Sequence, residues 1–379
     1  MRERKHADVA VVGAGIVGLA HAYALAKRGR KVVIFERSEP AVGASIRNFG
    51  LIWPVGQPAG VLRERALRSR EIWLEIAPKT GLWCMASGSL HLAYRPDERE
   101  VLLEFLETTP DAQESCALLT PAEVARKSRV ARQEGLLCGL WSSTELNVDP
   151  RQALRVIPQM LQQEYGVELR FGTAVNVITM PHIETPSEQW TVEQVLVCGG
   201  QDFETLYPEV FAASGITKCK LQMLRTVPQG AGWTLGPSLC AGLTLLHYDA
   251  FKHCSTRAEL EERVNRELPF YVEQHIHVLL SQTALSELTI GDSHAYGLTH
   301  DPFEYEAINQ AILDYLHSFA AGANFTIAER WHGIYPKLEG QADLIVQPEP
   351  GVTIVNGLSG AGMTLSFGLA EEVLARTRL

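Results

Sequence analysis

Val9-Ala-Val-Val-Gly-Ala-Gly-Ile-Val-Gly18 is the stretch on which the fold turns. The apolar run from Val9 to Val12 reads as a buried parallel strand, and Gly13, Gly15 and Gly18 follow at G-x-G-x-x-G spacing. Residues 16–28 carry a helical pattern, and 31–35 reads as a second strand ending in Glu36. Each glycine has its own mechanical reason. Gly13 permits a tight turn, Gly15 lets a pyrophosphate approach the backbone, and Gly18 lets the helix pack closely on the strand. The helix N-terminus then offers unpaired N–H groups and a positive dipole end to phosphates. Glu36 stands where a carboxylate accepts hydrogen bonds from a ribose 2′-OH, which argues against NADP. A dinucleotide is therefore expected, with FAD and NAD both open at this point.

A chain of 379 residues is long enough for two domains with separate cores. Lys+Arg 34 against Asp+Glu 44 leaves a net charge of −10, which argues against a general nucleic-acid binder. The seven cysteines are odd in number and scattered without a C-x-x-C pair, so neither a disulfide framework nor a zinc ribbon is expected, and a reducing cytoplasm fits. No apolar run approaches the ~20 residues of a membrane span. The early Asp8 and the glycines favour the nucleotide reading of the N-terminus over a signal peptide.

Working outward, residues 41–58 are dense in small and polar types, which suits a backbone running beside a bulky ligand. Residues 60–77 read as a helix with Arg65, Arg68 and Arg70 on solvated or salt-bridged faces. From about 81 to 142 the texture becomes α+β: a strand at 87–94, a helix at 97–107, a capping box at Thr120-Pro-Ala-Glu123 and a strand at 136–141. Asp149 and Pro150 open a helix through Tyr165 as N-cap and first residue. Segments 167–171 and 174–179 read as strands returning to the nucleotide sheet, and 190–197 as one buried strand entering Cys198-Gly-Gly-Gln201. That turn reads equally as structural or as a cofactor contact. Further strands are expected at 220–227, 239–246, 272–280 and 287–290, with helices at 256–267 and 303–319. His275 and His277 would share one strand face, read as a structural pair because no nearby acid or cysteine completes a metal-ligand set; no metal is expected. A strand at 329–337 and a strand pair at 344–346 and 352–355 lead to a second glycine-rich turn, 356–364, and a closing helix at 365–376.

A glycine fingerprint at the start and a strand–glycine turn–helix at the end resemble the D-amino-acid oxidase, glycine oxidase and sarcosine oxidase superfamily across essentially the whole chain. The resemblance implies α/β plus α+β architecture, an interrupted Rossmann-like FAD-binding domain with a mixed-sheet substrate domain. It places the first in 1–80, 143–217 and 326–379, and the second in 81–142 and 218–325. It favours FAD over NAD. On matching positions Gly13, Gly15, Ile16, Val17, Gly18, Glu36 and Arg37 would hold the ADP half, with Val175 touching adenine through its backbone. Ala44, Ser45, Arg47, Asn48, Phe49 and Gly50 would line the flavin, Gly199 and Gly200 form the second glycine turn, and Gly360, Gly362, Met363 and Thr364 form the turn at the flavin edge. The closing helix would there stabilise negative charge on the reduced ring.

A narrower match, Arg47-Asn-Phe-Gly-Leu-Ile-Trp-Pro-Val-Gly-Gln-Pro58, resembles a branch associated with catabolism of 2-aminoethylphosphonate and its N-methylated forms. Departures count as well. Tyr335 stands where glycine oxidases carry an arginine for the substrate carboxylate. Gly333 stands in the segment where sarcosine oxidases carry the cysteine that attaches flavin, so non-covalent FAD is expected. Thr364 replaces a lysine of the flavin-edge turn, and residues 281–300 contain no lysine to activate oxygen. The implied activity is hydride transfer from a small anionic amine to flavin N5, giving an imine that hydrolyses to a carbonyl, with O2 reoxidising the flavin to give H2O2. Candidate donors for the anion are Arg47, Tyr248, His294, His332, Tyr335 and Lys337, with Tyr335 the first choice as catalytic residue. Trp53 reads equally as a pocket wall or as packing. Alternatives are a glycine, sarcosine or D-amino-acid oxidase, a dehydrogenase using another acceptor, or a flavin-binding subunit of a larger assembly. The sequence leaves the oligomeric state open.

Overall fold

Four short runs of β-branched residues, Val9–Val12, Val32–Phe35, Gln194–Val197 and Val352–Asn356, are buried on both faces and lie parallel. Runs this apolar fit strands covered on both faces, here by helices on one side and by the strands around Ile183 and Trp190 on the other. The computed structural model describes residues 4–377. Glu168–Arg170 and Leu344–Glu349 complete a six-stranded sheet, the latter antiparallel at its edge. Helices Ile16–Lys27, Val61–Thr80, Pro150–Tyr165 and Gly362–Arg376 share one core with this sheet.

The first of those helices has almost no polar face, because it is enclosed on nearly all sides. Tyr23 meets Tyr165 and Phe367 edge-on, and Trp73 donates its indole N–H to the Met363 carbonyl at 2.9 Å. Buried large side chains of this kind stabilise by about 1.5–3 kcal/mol each. Arg65, expected on a solvated or salt-bridged face, is buried and held by Asp343 at 2.6 Å and Glu372 at 2.8 Å. Asp149 caps its helix through Arg151 and Gln152 N–H groups, and the Thr120–Glu123 capping box is closed, as both were read from sequence.

A second sheet takes Ser89–Ala93, Cys116–Leu119, Cys138–Ser142, Thr217–Thr226, Ser238–Ala241, Leu279–Gln282, Leu288–Gly291 and Ala295–Gly297, with the long strand Ile327–Lys337 alongside Thr217–Thr226. On that pairing we propose that the domain division expected at 326 falls after 337 instead.

Several local expectations are corrected. Residues 190–197 form two strands, Gln189–Thr191 and Gln194–Val197, in different sheets. Val177–Thr179 belongs with Arg4–His6, His182–Glu184 and Gln189–Thr191 in a four-stranded sheet and not to the nucleotide sheet. Residues 239–246 divide into strand Ser238–Ala241 and helix Leu243–His247, and 272–280 into helix Pro269–Glu273 and strand Leu279–Gln282. Short apolar runs do not distinguish these cases by periodicity. His275 and His277 therefore share no strand face: His275 is exposed with φ +46, and His277 is buried.

Candidate active site

The glycine turn closes as its spacing requires. A Cβ on Gly13, at φ +104, would lie 2.4 Å from the Cys198 carbonyl oxygen, and one on Gly18 would lie 1.9 Å from the Gly13 oxygen. Strand, turn and helix approach too closely for any side chain. Gly15 caps the helix without a side chain, and among the described residues the N–H groups of Gly15, Val17 and Gly18 have no acceptor. Ser45 Oγ accepts from Ile16 N at 2.9 Å, which ties the 44–50 loop to the same helix end. Glu36 accepts from Ala14 N and Ser38 N, and Arg37 pairs with Asp202 at 2.8 Å beside the Gly199-Gly200 turn. Unpartnered N–H groups at a glycine cradle and an adjacent carboxylate fit a dinucleotide pyrophosphate and ribose.

Around this cradle, Asn48 bonds Ala44 and Ser45 carbonyls and accepts from Gly50 N, so it staples the loop into its short helical turn, Ala44–Ile46. Val175 is buried in the core beside the sheet. Asn356 donates to the Gly200 carbonyl at 2.9 Å, joining the two glycine turns. The closing helix starts at Gly362, whose built Cβ would sit 3.5 Å from Ile16, and Ala361 brings no capping side chain. Both glycine-rich helix ends therefore face the same region. Thr364 spends its hydroxyl on Trp53 N and Leu51 O, and only backbone remains at that position for a ligand.

The second sheet carries a polar face over this region. Cys219 lies opposite Tyr335 on one neighbouring strand and Tyr296 on the other, so the two phenols flank its thiol. Tyr335 Oη reaches within 3.6 Å of a Cβ built on Gly360, so it meets the second glycine-rich turn. Burial pushes its phenol well above the usual range, with Cys219 and Asp292 adding to the shift, and it stays a donor. Gly333, on the same face, would bring a Cβ 3.0 Å from Leu221 and 3.3 Å from the Arg47 carbonyl, so the loop passes there. Met223 and Phe49 line the adjoining apolar patch. Lys337 shares the face with Tyr335, is half-buried, and has no carboxylate within ion-pair distance among the described residues.

Two sequence candidates for the anion, and the candidate pocket wall Trp53, are placed elsewhere. His332 alternates to the opposite strand face and binds Glu304 at 3.2 Å. Arg47 bonds the Val42 and His332 carbonyls and so braces the loop instead of presenting its fork. Trp53 is buried between His91 and Tyr248, as packing. Tyr248 and His294 meet at His277, in company sequence reading missed: His247, Asp292 and Tyr296. His277 Nε2 lies 3.1 Å from Asp292 Oδ1, the acid thought to be absent. It was invisible because antiparallel pairing of 277 with 292 brings together residues distant in sequence. The signal available was the second histidine in Asp292-Ser-His294, two residues from an acid.

Cradle, closing helix and overlying sheet define a dinucleotide-binding fold in which a second sheet lies over the glycine turns. The family model for FAD dependent oxidoreductases matches residues 8–376, and the chain belongs to that family; its cofactor is FAD. The D-amino-acid oxidase of Streptomyces coelicolor is 35% identical over 80 residues, 21% of this chain and 25% of that protein. A D-amino acid dehydrogenase of Helicobacter pylori is 51% identical over 45 residues, 12% of this chain and 11% of that one. These matches span a quarter or less of the relatives' own lengths. The fold is similar to L-proline dehydrogenase from P. horikoshii (TM-score 0.76, 20% identity, 99% of this chain and 95% of that one). It is equally similar to glycine oxidase from Bacillus cereus (TM-score 0.75, 19% identity, 98% and 96%). No helix among the described residues is long and apolar enough to cross a membrane.

Proposed function

We propose that the enzyme oxidises a small amine bearing an oxyanion, with 2-aminoethylphosphonate or its N-methyl form as first substrates and phosphonoacetaldehyde as product. Bound FAD supplies the two-electron acceptor. The chain contributes position, charge and exclusion of water. On this reading Gly13, Gly15, Ile16, Val17 and Gly18 hold the pyrophosphate through backbone N–H groups, and Glu36 and Arg37 serve the ribose side. Val175 meets adenine, while residues 44–50, the Gly199-Gly200 turn, Gly333 and 360–364 enclose the ring without a covalent link.

One observation carries the proposal. Tyr335 and Lys337 share a strand face beside the Gly360 turn, and Lys337 has no acidic partner among the described residues. A lone ammonium with phenol donors supports an anion without the planar fork that suits a carboxylate. The amine binds neutral with its α-C–H toward the acceptor. That bond breaks with its electron pair leaving as hydride, the nitrogen lone pair forms C=N, and water hydrolyses the imine to aldehyde and ammonia or methylamine. Tyr335 Oη, held protonated, donates to the bound substrate. Dioxygen, reduced to peroxide, is the proposed final acceptor.

A second reading, oxidation of an amino acid, is favoured by the local identity to a D-amino-acid oxidase. Anaerobic mixing with a panel of amines decides between them. Bleaching of the flavin by aminophosphonates alone supports the phosphonate reading. Bleaching by glycine, sarcosine or D-amino acids instead refutes it, and no bleaching by any amine refutes both in favour of a partner subunit.

A further inference from the structure

Three imidazoles stack against one another under the second sheet's polar face. His247 and His277 lie 3.7 Å apart between centroids at 29°, His277 and His294 5.1 Å apart at 15°, and His247 and His294 4.9 Å apart at 31°. Tyr296 continues the ladder, 6.3 Å from His294 at 17°. They arrive from separate elements: the end of helix Leu243–His247, the approach to strand Leu279–Gln282, and the link from Leu288–Gly291 to Ala295–Gly297. One nitrogen from each ring lies within 4.8 Å of the others. His277 and His294 are buried, whereas His247 is exposed to water. Both nitrogens of His277 and Oδ1 of Asp292 lack hydrogen-bond partners, although they lie 3.1 Å apart, too poorly aligned to bond. Buried polar atoms left unpartnered in one place call for an occupant.

A metal ion is the first candidate, and the ring planes disfavour it. An imidazole lone pair lies in its ring plane, and a metal must sit about 2.0–2.1 Å from every donor nitrogen along those lone pairs. Nearly parallel planes stacked at 3.7–5.1 Å do not converge on such a point. A neighbouring ammonium, Lys337, also repels a dication, and it acts on His247 and His294 electrostatically. An oxyanion with several oxygens asks for the opposite: donors spread over a few ångströms, each serving a different oxygen.

We infer that His247, His277 and His294, closed by Lys337, form the seat for the tetrahedral oxyanion of the substrate, and that filling it takes up protons from solution. This rests on the function proposed above, of which it specifies the anion-binding residues. His294 supplies the proton argument. Its Nδ1 lies 2.9 Å from the His275 carbonyl oxygen, so Nδ1 carries the hydrogen and Nε2 is a bare lone pair while the ring is neutral. Nε2 donates to an oxyanion only after gaining a proton. Tyr248 and Tyr296 pack on the rings and Asp292 lies 3.1 Å from His277 and 3.8 Å from His294; Lys252, His275 and Lys337 act on the stack electrostatically, and Cys219 and Tyr335 act on Asp292. Burial and mutual repulsion hold His247 and His277 well below the ordinary imidazole range and bring His294 to about 4, while burial holds Asp292 well above the carboxylate range. The free seat is thus close to neutral apart from Lys337. An arriving dianion reverses the balance for the imidazoles, and protonation follows binding.

Methylphosphonate, which has no amine to oxidise, is the probe. Calorimetric titration of the FAD-loaded enzyme in two buffers of different ionisation enthalpy reads proton uptake directly. We expect saturable binding with uptake of about one proton, as coupled protonation requires. His294→Gln should weaken binding by about tenfold or more and abolish uptake, with the flavin spectrum unchanged, the loss of one charge-assisted donor. Lys337→Met, at a half-buried position that tolerates truncation, should weaken binding and retain uptake. Binding without uptake, or affinity unaffected by both variants, overturns the inference. So does stoichiometric binding of Zn2+ alone with proton release, which would make the cluster a metal site. Failure of the proposed function is distinguishable: His-dependent uptake of methylphosphonate with no aminophosphonate bleaching the flavin keeps the seat and removes the substrate. Bleaching by aminophosphonates without His-dependent uptake removes the seat.

Discussion

Replacing Gly18 by alanine tests the mechanical core of the cofactor site. Its Cβ would lie 1.9 Å from the Gly13 oxygen, 3.1 Å from the Gly13 carbon and 3.2 Å from Val11 Cγ1. Two of these neighbours are backbone and the third is a branched side chain in a buried strand, so none can fold away. The helix must retreat by more than 1 Å to restore even a 3.0 Å contact. Overpacking of this kind costs about 1–3 kcal/mol of stability. The larger effect falls on the ligand. The N–H groups of Gly15 and Val17 move with the helix, and each charge-assisted hydrogen bond lost is worth about 1.5–3 kcal/mol. Two of them amount to about 3 kcal/mol or more, a weakening of FAD by at least about hundredfold. Titrating apoprotein with FAD and following flavin fluorescence quenching measures this, with thermal melting alongside. Gly29→Ala is the control: Gly29 has φ +79 but nothing within 4 Å of a built Cβ. It should lose about 1–2 kcal/mol of stability to left-handed strain and keep its FAD affinity. Wild-type affinity in Gly18→Ala would refute the close-packing argument.

Three further outcomes follow from the same geometry. Tyr335→Phe should lower kcat by about tenfold, the worth of one neutral hydrogen bond, with FAD still bound; unchanged steady-state kinetics would remove Tyr335 from the site. Arg65→Ala strands Asp343 and Glu372 between two helices and the sheet edge, so denaturant unfolding should show a loss of about 3–5 kcal/mol. A loss below about 1 kcal/mol would mean the two acids simply rehydrate. Burial lowers His91 from 6.5 to about 3, and neither ring nitrogen has a partner. As pH falls through 6.5 the unfolded chain takes the proton and the folded chain does not, so stability drops by about 1.4 kcal/mol per pH unit until about 3. His91→Leu should flatten that part of a melting-temperature series against pH, and an unchanged slope would assign the acid sensitivity to other groups, His21 among them.

Much of the turn and cap geometry was legible in the amino-acid sequence, because it is built from local chemistry. The Gly13–Gly18 spacing, the acid at 36, the caps at Thr120 and Asp149, and the glycine turn at 356–364 each depend on residues within a few positions of one another. Where short apolar runs lacked such punctuation, as at 190–197 or 239–246, periodicity left strand and helix unresolved. Alternation along Ile327–Lys337 did separate faces once the strand's neighbours were known: Tyr335 and Lys337 turn toward the recess and His332 away from it.

The sequence by itself determined a dinucleotide fold, its glycine cradles and, through resemblance, FAD. Only the tertiary structure decided which polar side chains meet on the face over the glycine turns. His247, His277, the segment holding Asp292, His294 and Tyr296, and the strand residues Cys219 and Tyr335 come from separate parts of the chain, and no local pattern marks all of them as a group. Backbone turns are set by the steric limits of neighbouring residues, so they leave a signature in sequence. A cluster assembled across a sheet is set by strand order and register, which depend on the packing of the whole chain.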